Sequence, residues 1–242
     1  MEKGSSNLEA IYSIILVTTV FSIYLLVTGL RSIRRWISSG ANEPAASFRI
    51  TLFNKLTGFI LFGFIPLFFI RLTPEKNPVD YGISVSMIIK SLLIALPFAL
   101  IIIPLSYLNS GKSDNLKQYP MFRLPFWHWN SLIISALSWI MYLAAYEFMF
   151  RGFLLFSCIQ SFSIPVAILI NICLYSLAHI PKGLKETIGS IPAGLIFCLL
   201  VIKLGSIWVA LFIHIIMALS NEWFSIAAHP EMEFRLRKTR VR

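Results

Sequence analysis

Residues 131–157 read SLIISALSWIMYLAAYEFMFRGFLLFS, and within them only Glu147 and Arg151 carry charge. A helix needs about 20 consecutive apolar residues to cross a hydrocarbon core of ~30 Å, so this run is long enough. Lipid offers no partner for backbone N–H and C=O groups, which must be satisfied within the helix itself. The apolar residues are continuous rather than alternating, which argues against the strand pattern of a membrane barrel. The exception in the run is its main interest. An ionised side chain at membrane depth is costly and must face a partner or a wet cavity.

Working outward, similar apolar runs lie at about 8–30, 52–70, 84–106, 163–180, 187–202 and 206–223. The reading is an all-α, polytopic transmembrane helix bundle of about seven spans, six to eight being compatible with the run edges. Composition agrees: 57% of the 242 residues are hydrophobic and 13% charged, where a soluble domain carries roughly 25% charged residues. The chain divides into N-terminal spans and connections (1–130), a core (131–223) and a basic tail (224–242). The first run is too long for a signal peptide and lacks a basic start, so it reads as a retained helix. Cys158, Cys173 and Cys198 lie in apolar runs without paired spacing and read as small buried residues.

The net charge of +10 is distributed by topology. Alternate connections, including the tail with Arg235, Arg237, Lys238, Arg240 and Arg242, hold 14 Lys and Arg; the opposite side holds four: Lys3, Arg71, Lys76 and Lys203. The positive-inside rule then puts the C-terminus in the cytoplasm and the protein in the cell membrane as a multi-pass chain, with anionic lipid rather than nucleic acid as the partner of its basic residues. Residues 119–130, with aromatics, Pro120, Pro125 and Arg123, suit the headgroup boundary, and His128 belongs to that belt.

Four ionisable residues of the C-terminal half fall at membrane depth: Glu147, Arg151, His179 and His214. Glu147 and Arg151 are spaced i,i+4 and share a helix face, as a structural ion pair would. Asn171, Tyr175 and His179 form a polar i,i+4,i+8 stripe, and Asn221 and Glu222 follow His214 by two turns. Either histidine alone suits helix–helix hydrogen bonding. A carboxylate with two imidazoles also suits activation of a water by a general base, or a divalent metal such as zinc held by Glu147, His179 and His214. Other intramembrane protease signatures are absent: there is no HExxH, no GxSxG and no aspartate pair in a span, since Asp80 and Asp114 lie in connections.

Three segments resemble the motifs of the CPBP (CAAX-processing and bacteriocin-processing) intramembrane proteases, which include the type II CAAX prenyl endopeptidases. Tyr146-Glu147-Phe-Met-Phe-Arg151-Gly152 is similar to the family's Glu-Glu-x-x-x-Arg; Tyr175-Ser-Leu-Ala-His179 to Phe-x-x-x-His; His214-Ile-Ile-Met-Ala218 to His-x-x-x-Asn/Asp. The stretch from Gly194 to Gly205-Ser206 fits as well, and the likeness covers about residues 131–222. It departs at two places. Tyr146 stands where the family has its first glutamate, to which water activation is usually assigned, and Ala218 stands where it has Asn or Asp. Asn221, one turn on, is a substitute for that amide. Glu186 is a further carboxylate, read either as part of a variant site or as a charge complementing the N-terminus of its helix.

The resemblance implies an intramembrane peptidase acting on a membrane-associated or lipidated peptide. Glu147 would be the base on the water and Arg151 its counter-ion; His179 and His214 would position the water, stabilise the oxyanion or hold a metal. Tyr146, Asn171, Asn221 and Glu186 are auxiliary candidates. Two other readings stand beside it: an inactive relative that binds peptide or lipid in an immunity or regulatory role, and a small transporter, against which the lack of internal repeats argues. One conflict of depth also stands. If the fourth span starts near 131 on the inner side, Glu147 lies ~24 Å along it, while His179 falls near the inner end of the fifth. A shared site needs a long tilted helix, a break within 147–162, or different span edges.

Overall fold

Helix starts and stops follow local chemistry. Asn42 caps the helix at Glu43 by accepting the Ala45 N–H at 3.1 Å, with Pro44 in the first turn. Gly205, at φ 61°, terminates the helix that ends at Leu204 in the left-handed conformation that glycine adopts without strain. The computed structural model describes residues 2–73 and 76–235, with side chains from Leu8 onward. Glu75, Arg237, Lys238, Arg240 and Arg242, and the side chain of Lys3, lie outside the described residues.

The order is α1 (Glu2–Gly29), α2 (Arg31–Ser38), α3 (Glu43–Phe59), a π-helical turn Ile60–Phe64, α4 (Ile65–Arg71), α5 (Ile88–Ser110), α6 (Ser113–Gln118), α7 (Trp129–Glu147), a second π-helical segment Phe148–Leu154, α8 (Leu155–Ser161), α9 (Ile164–Leu177), α10 (Leu184–Leu204) and α11 (Trp208–Ala228). Two two-residue strands, β1 (Phe126–Trp127) and β2 (Glu233–Phe234), pair in parallel and return the segment after α11 to the stretch before α7. The expected all-α polytopic bundle is what forms.

Among the described residues, six helices are long and apolar enough to cross a membrane: Leu8–Gly29, Glu43–Arg71, Pro78–Ser110, Trp129–Ser161, Leu184–Leu204 and Trp208–Ala228. The run expected as a fifth span over 163–180 is the difference. Its helix, α9, has 14 residues and is ~21 Å long, short of the hydrocarbon thickness. Outward-facing leucines and isoleucines such as Ile89, Leu100 and Ile101 form the lipid-facing surface.

That short helix resolves the conflict of depth. The α8–α9 turn falls at Phe162–Ser163. Counted back from it, Glu147 lies ~21 Å along the continuous α7–α8 rod; counted forward, the end of α9 lies at about the same depth. Glu147 and His179 share a level because the apolar run of 163–180 does not cross. The Trp129–Ser161 rod, 33 residues long, extends ~50 Å, so its first turns project beyond the hydrocarbon or tilt.

The α5 and α11 helices run parallel. Ser220 Oγ meets Ser106 Oγ at 3.0 Å, the Tyr107 and Phe224 rings lie 5.4 Å apart, and Asn115 reaches Ser225 at 2.7 Å, residue numbers rising together on both sides. α9 packs on α10, α3 on α7 and α1 on α8. The N-terminal helices therefore sheathe the rod that carries Glu147.

Candidate active site

Glu147 ends α7 and Arg151 sits in the π-helical segment that follows, both with no exposed surface. Arg151 Nε approaches Glu147 Oε2 at 3.5 Å, and its guanidinium carbon lies 3.7 Å from the centre of the Tyr175 ring. The cation thus meets a carboxylate and an aromatic face, as a charge withdrawn from water requires. The other carboxylate oxygen, Oε1, lies 2.6 Å from His214 Nδ1. A carboxylate can only accept, so Nδ1 carries the proton and Nε2 keeps its lone pair. Glu147 therefore sets the tautomer and orientation of the His214 ring.

His179 follows α9, and its Nδ1 lies 2.8 Å from the Tyr175 carbonyl. The carbonyl can only accept, so this imidazole too is Nδ1-protonated and basic at Nε2. Tyr146 lies between the histidines, its ring centroid 6.3 Å from that of His179 and 6.0 Å from that of His214, edge-on to both. Both histidines line a cavity of about 570 Å³, together with Tyr119, Trp139 and Tyr175 on aromatic walls, Ile102, Leu105 and Met217 on apolar ones, and Lys112, Lys182, Glu186 and Asn221 among polar groups. Ala218 also lines it, leaving space where the resembled motif carries an amide.

The sequence candidates separate in this geometry. Glu147, Arg151, Tyr146, His179 and His214 converge. Glu147 does not line the cavity, because His214 stands between its carboxylate and the open volume. Glu147 Oε1 is committed to His214 and His179 Nδ1 to a carbonyl; among the described residues no group of three His, Cys, Asp or Glu side chains is arranged to hold a metal. Asn171 stands apart: its amide donates to the Phe150 carbonyl at 2.5 Å, satisfying the π-helical segment, and accepts from Cys198 Sγ at 3.3 Å. Glu186 lines the cavity and lies in the first turn of α10, 3.6 Å from Lys182 Nζ and 3.5 Å from the Tyr119 hydroxyl. At the outer rim Lys185 binds Asp114 at 2.6 Å, and that bond holds the Asp114 carboxyl below the usual range.

Sequence reasoning missed a second charged cluster. Lys55 is buried in α3 with its ammonium 3.1 Å from the centre of the Trp139 ring. Glu222, fully buried in α11, accepts the Met121 N–H at 3.1 and 3.2 Å and Ser135 Oγ at 3.2 Å. The signal was present as a lysine inside an apolar run, yet nothing local ties residue 55 to residue 222. Gly194 of α10 matters through its missing side chain: a Cβ there would meet Tyr175 Cδ1 at 3.2 Å and the Arg151 guanidinium at 3.6 Å.

These features define a polytopic membrane bundle with a buried Arg–Glu–His chain behind a largely apolar cavity that both histidines line. Residues 127–220 match the family described as Rce1-like, "Type II CAAX prenyl endopeptidase Rce1-like". The match spans the segment in which the three motifs were read, and it makes that segment similar to CAAX-type intramembrane proteases. No curated protein and no solved structure matches the chain.

Proposed function

We propose that this protein is an intramembrane endopeptidase of the glutamate/histidine type, cleaving membrane-associated or lipidated peptides, with His214 as general base and Glu147 as the carboxylate that orients it. The observation that carries this reading is the 2.6 Å contact between Glu147 and His214 at the wall of the cavity. His214 Nε2 takes a proton from a water as its oxygen attacks the peptide carbonyl, and the imidazolium returns a proton to the leaving amine. Glu147 favours that imidazolium, the role of the carboxylate in a Ser-His-Asp triad. His179 Nε2 accepts the water's second proton as a hydrogen bond, and Asn221, two turns further along α11, lines the cavity that takes the peptide. Arg151 supplies the counter-ion that a carboxylate withdrawn from water requires. A lipid tail enters between α5 and α10, whose main packing partners are α11 and α9 respectively. The cell membrane is the site of action, with the C-terminus on the cytoplasmic side.

A second reading draws on Tyr146, which occupies the place between the two histidines where the resembled family has its first glutamate. There the protein binds a peptide or lipid without turnover. The purified full chain, in detergent with a farnesylated fluorogenic peptide, separates the two. The peptidase reading expects product from the wild type and none from His214→Gln. Binding without product in the wild type favours the second reading, and Glu147→Gln with undiminished turnover removes the proposed mechanism.

A further inference from the structure

Leu30 separates the first span from the short helix that follows. Its backbone is extended, with φ −62° and ψ 119°, between the end of α1 at Gly29 and α2. The apolar part of α1, Leu8–Gly29, has 22 residues and is ~33 Å long, so it ends at the hydrocarbon boundary. The next span begins at Glu43, which puts α2 at headgroup level between two span ends. At about 100° per residue, Arg31, Arg34, Arg35 and Ser38 share one face of α2, and Ile33, Trp36 and Ile37 share the opposite one. Ile33 and Ile37 are half-buried, α2 packs on α3, and Trp36 is 78% exposed. A basic face and an exposed tryptophan, on a helix with no fully buried residue, suit the membrane interface.

A groove of about 560 Å³ lies in this elbow. Leu25, Leu26, Gly29 and Leu30 line it from the span, and Arg31 and Arg35, one turn apart, line it from α2. Gly29 makes the notch: a Cβ built there would meet nothing within 4 Å, and Leu26 and Leu30 stand exposed beside it. No carboxylate lines the groove, and neither arginine forms an ion pair among the described residues. Arg35 donates from Nε to the Arg31 carbonyl at 3.4 Å, which leaves its terminal nitrogens available. Arg34 turns away: its Nη1 donates to the Thr28 carbonyl at 3.5 Å and braces the elbow. We propose that the elbow binds an anionic phospholipid, its phosphate held by the Arg31 and Arg35 guanidinia and one acyl chain laid along Leu26 and Leu30 over Gly29. Cations at one end of a groove and lipid-facing leucines at the other match a molecule that joins a phosphate to hydrocarbon. Free phosphate matches only the arginine half. A zwitterionic lipid brings an ammonium that the guanidinia repel. The site lies on other helices than the histidine cavity and does not rest on the peptidase reading.

The test is native mass spectrometry of the purified, delipidated full chain in detergent, with dioleoyl phosphatidylglycerol and dioleoyl phosphatidylcholine as probes. The wild type should bind the phosphatidylglycerol at least tenfold more tightly, a preference reduced to near unity in Arg31→Gln with Arg35→Gln. Gly29→Leu keeps every charge and fills the notch, and should weaken phosphatidylglycerol binding at least fivefold. Lys117→Gln with Lys203→Gln removes the same charge from exposed positions elsewhere and should leave the preference intact. Equal binding of the two lipids by the wild type overturns the site. So does an equal loss in the lysine and arginine variants, because the attraction is then the net charge of the chain. Binding undiminished by Gly29→Leu reduces the contact to phosphate on a surface and overturns the lipid groove.

Discussion

Two carboxylates, Glu147 and Glu222, are equally buried, each near a buried cation and each on a helix of the same bundle. Their surroundings differ. Glu222 accepts from fixed neutral donors, the Met121 N–H and the Ser135 hydroxyl, while Lys55 rests on the face of Trp139. That arrangement ties the 119–122 loop to α3, α7 and α11 and holds an aromatic wall of the cavity. Glu147 instead spends one oxygen on Arg151 and the other on an imidazole that lines the cavity. Burial alone does not distinguish structure from chemistry. What distinguishes them is whether the carboxylate's partner is inert backbone or a titratable ring facing open volume.

The largest expected effect breaks the comparison if it fails. His214→Gln should lower peptide cleavage by ~10²–10⁴-fold, the usual worth of a general base, with the thermal midpoint in detergent little changed. Glu222→Gln should leave kcat within a small factor. Equal losses in two folded variants would mean that both carboxylates are structural.

Stability sharpens the same contrast. Arg151→Met leaves Glu147 as an uncompensated buried charge and should cost about 3–5 kcal/mol, read by denaturant titration in detergent; Arg151→Met with Glu147→Gln should recover much of it. Gly194→Val forces a branched side chain against Tyr175 and the guanidinium and should cost about 1–3 kcal/mol by overpacking, on the Glu147 side only. Lys55→Met removes the cation over Trp139 and should cost no more than about 2 kcal/mol, because Glu222 keeps its neutral donors. At the small end, Lys185→Ala removes an exposed pair with Asp114 and should leave the thermal midpoint unchanged, as isolated surface ion pairs do.

Much of this molecule was legible as sequence because lipid is a demanding solvent. Long apolar runs have few other folded forms, and a charge within one must be satisfied. That argument singled out Glu147, Arg151, His179 and His214, and these four do converge with Tyr146. It failed wherever the partner is distant in the chain. Asn171 read as part of a site stripe, but its amide serves the Phe150 carbonyl that the π-helical segment presents to α9. Lys55 drew no reading from the sequence because its environment is Trp139, 84 positions away.

The sequence by itself determined the solvent, the helical class and the residues that must be explained, since transfer of charge and peptide groups into hydrocarbon is unfavourable wherever they sit. Only the tertiary structure decided which face of Glu147 meets which partner. Helix periodicity leaves a side chain's neighbour on another helix undefined, and the depth of His179 depended on α9 stopping at Leu177. Packing put His214 between the carboxylate and the cavity, and with it moved the role of base from Glu147 to the histidine in the mechanism proposed here.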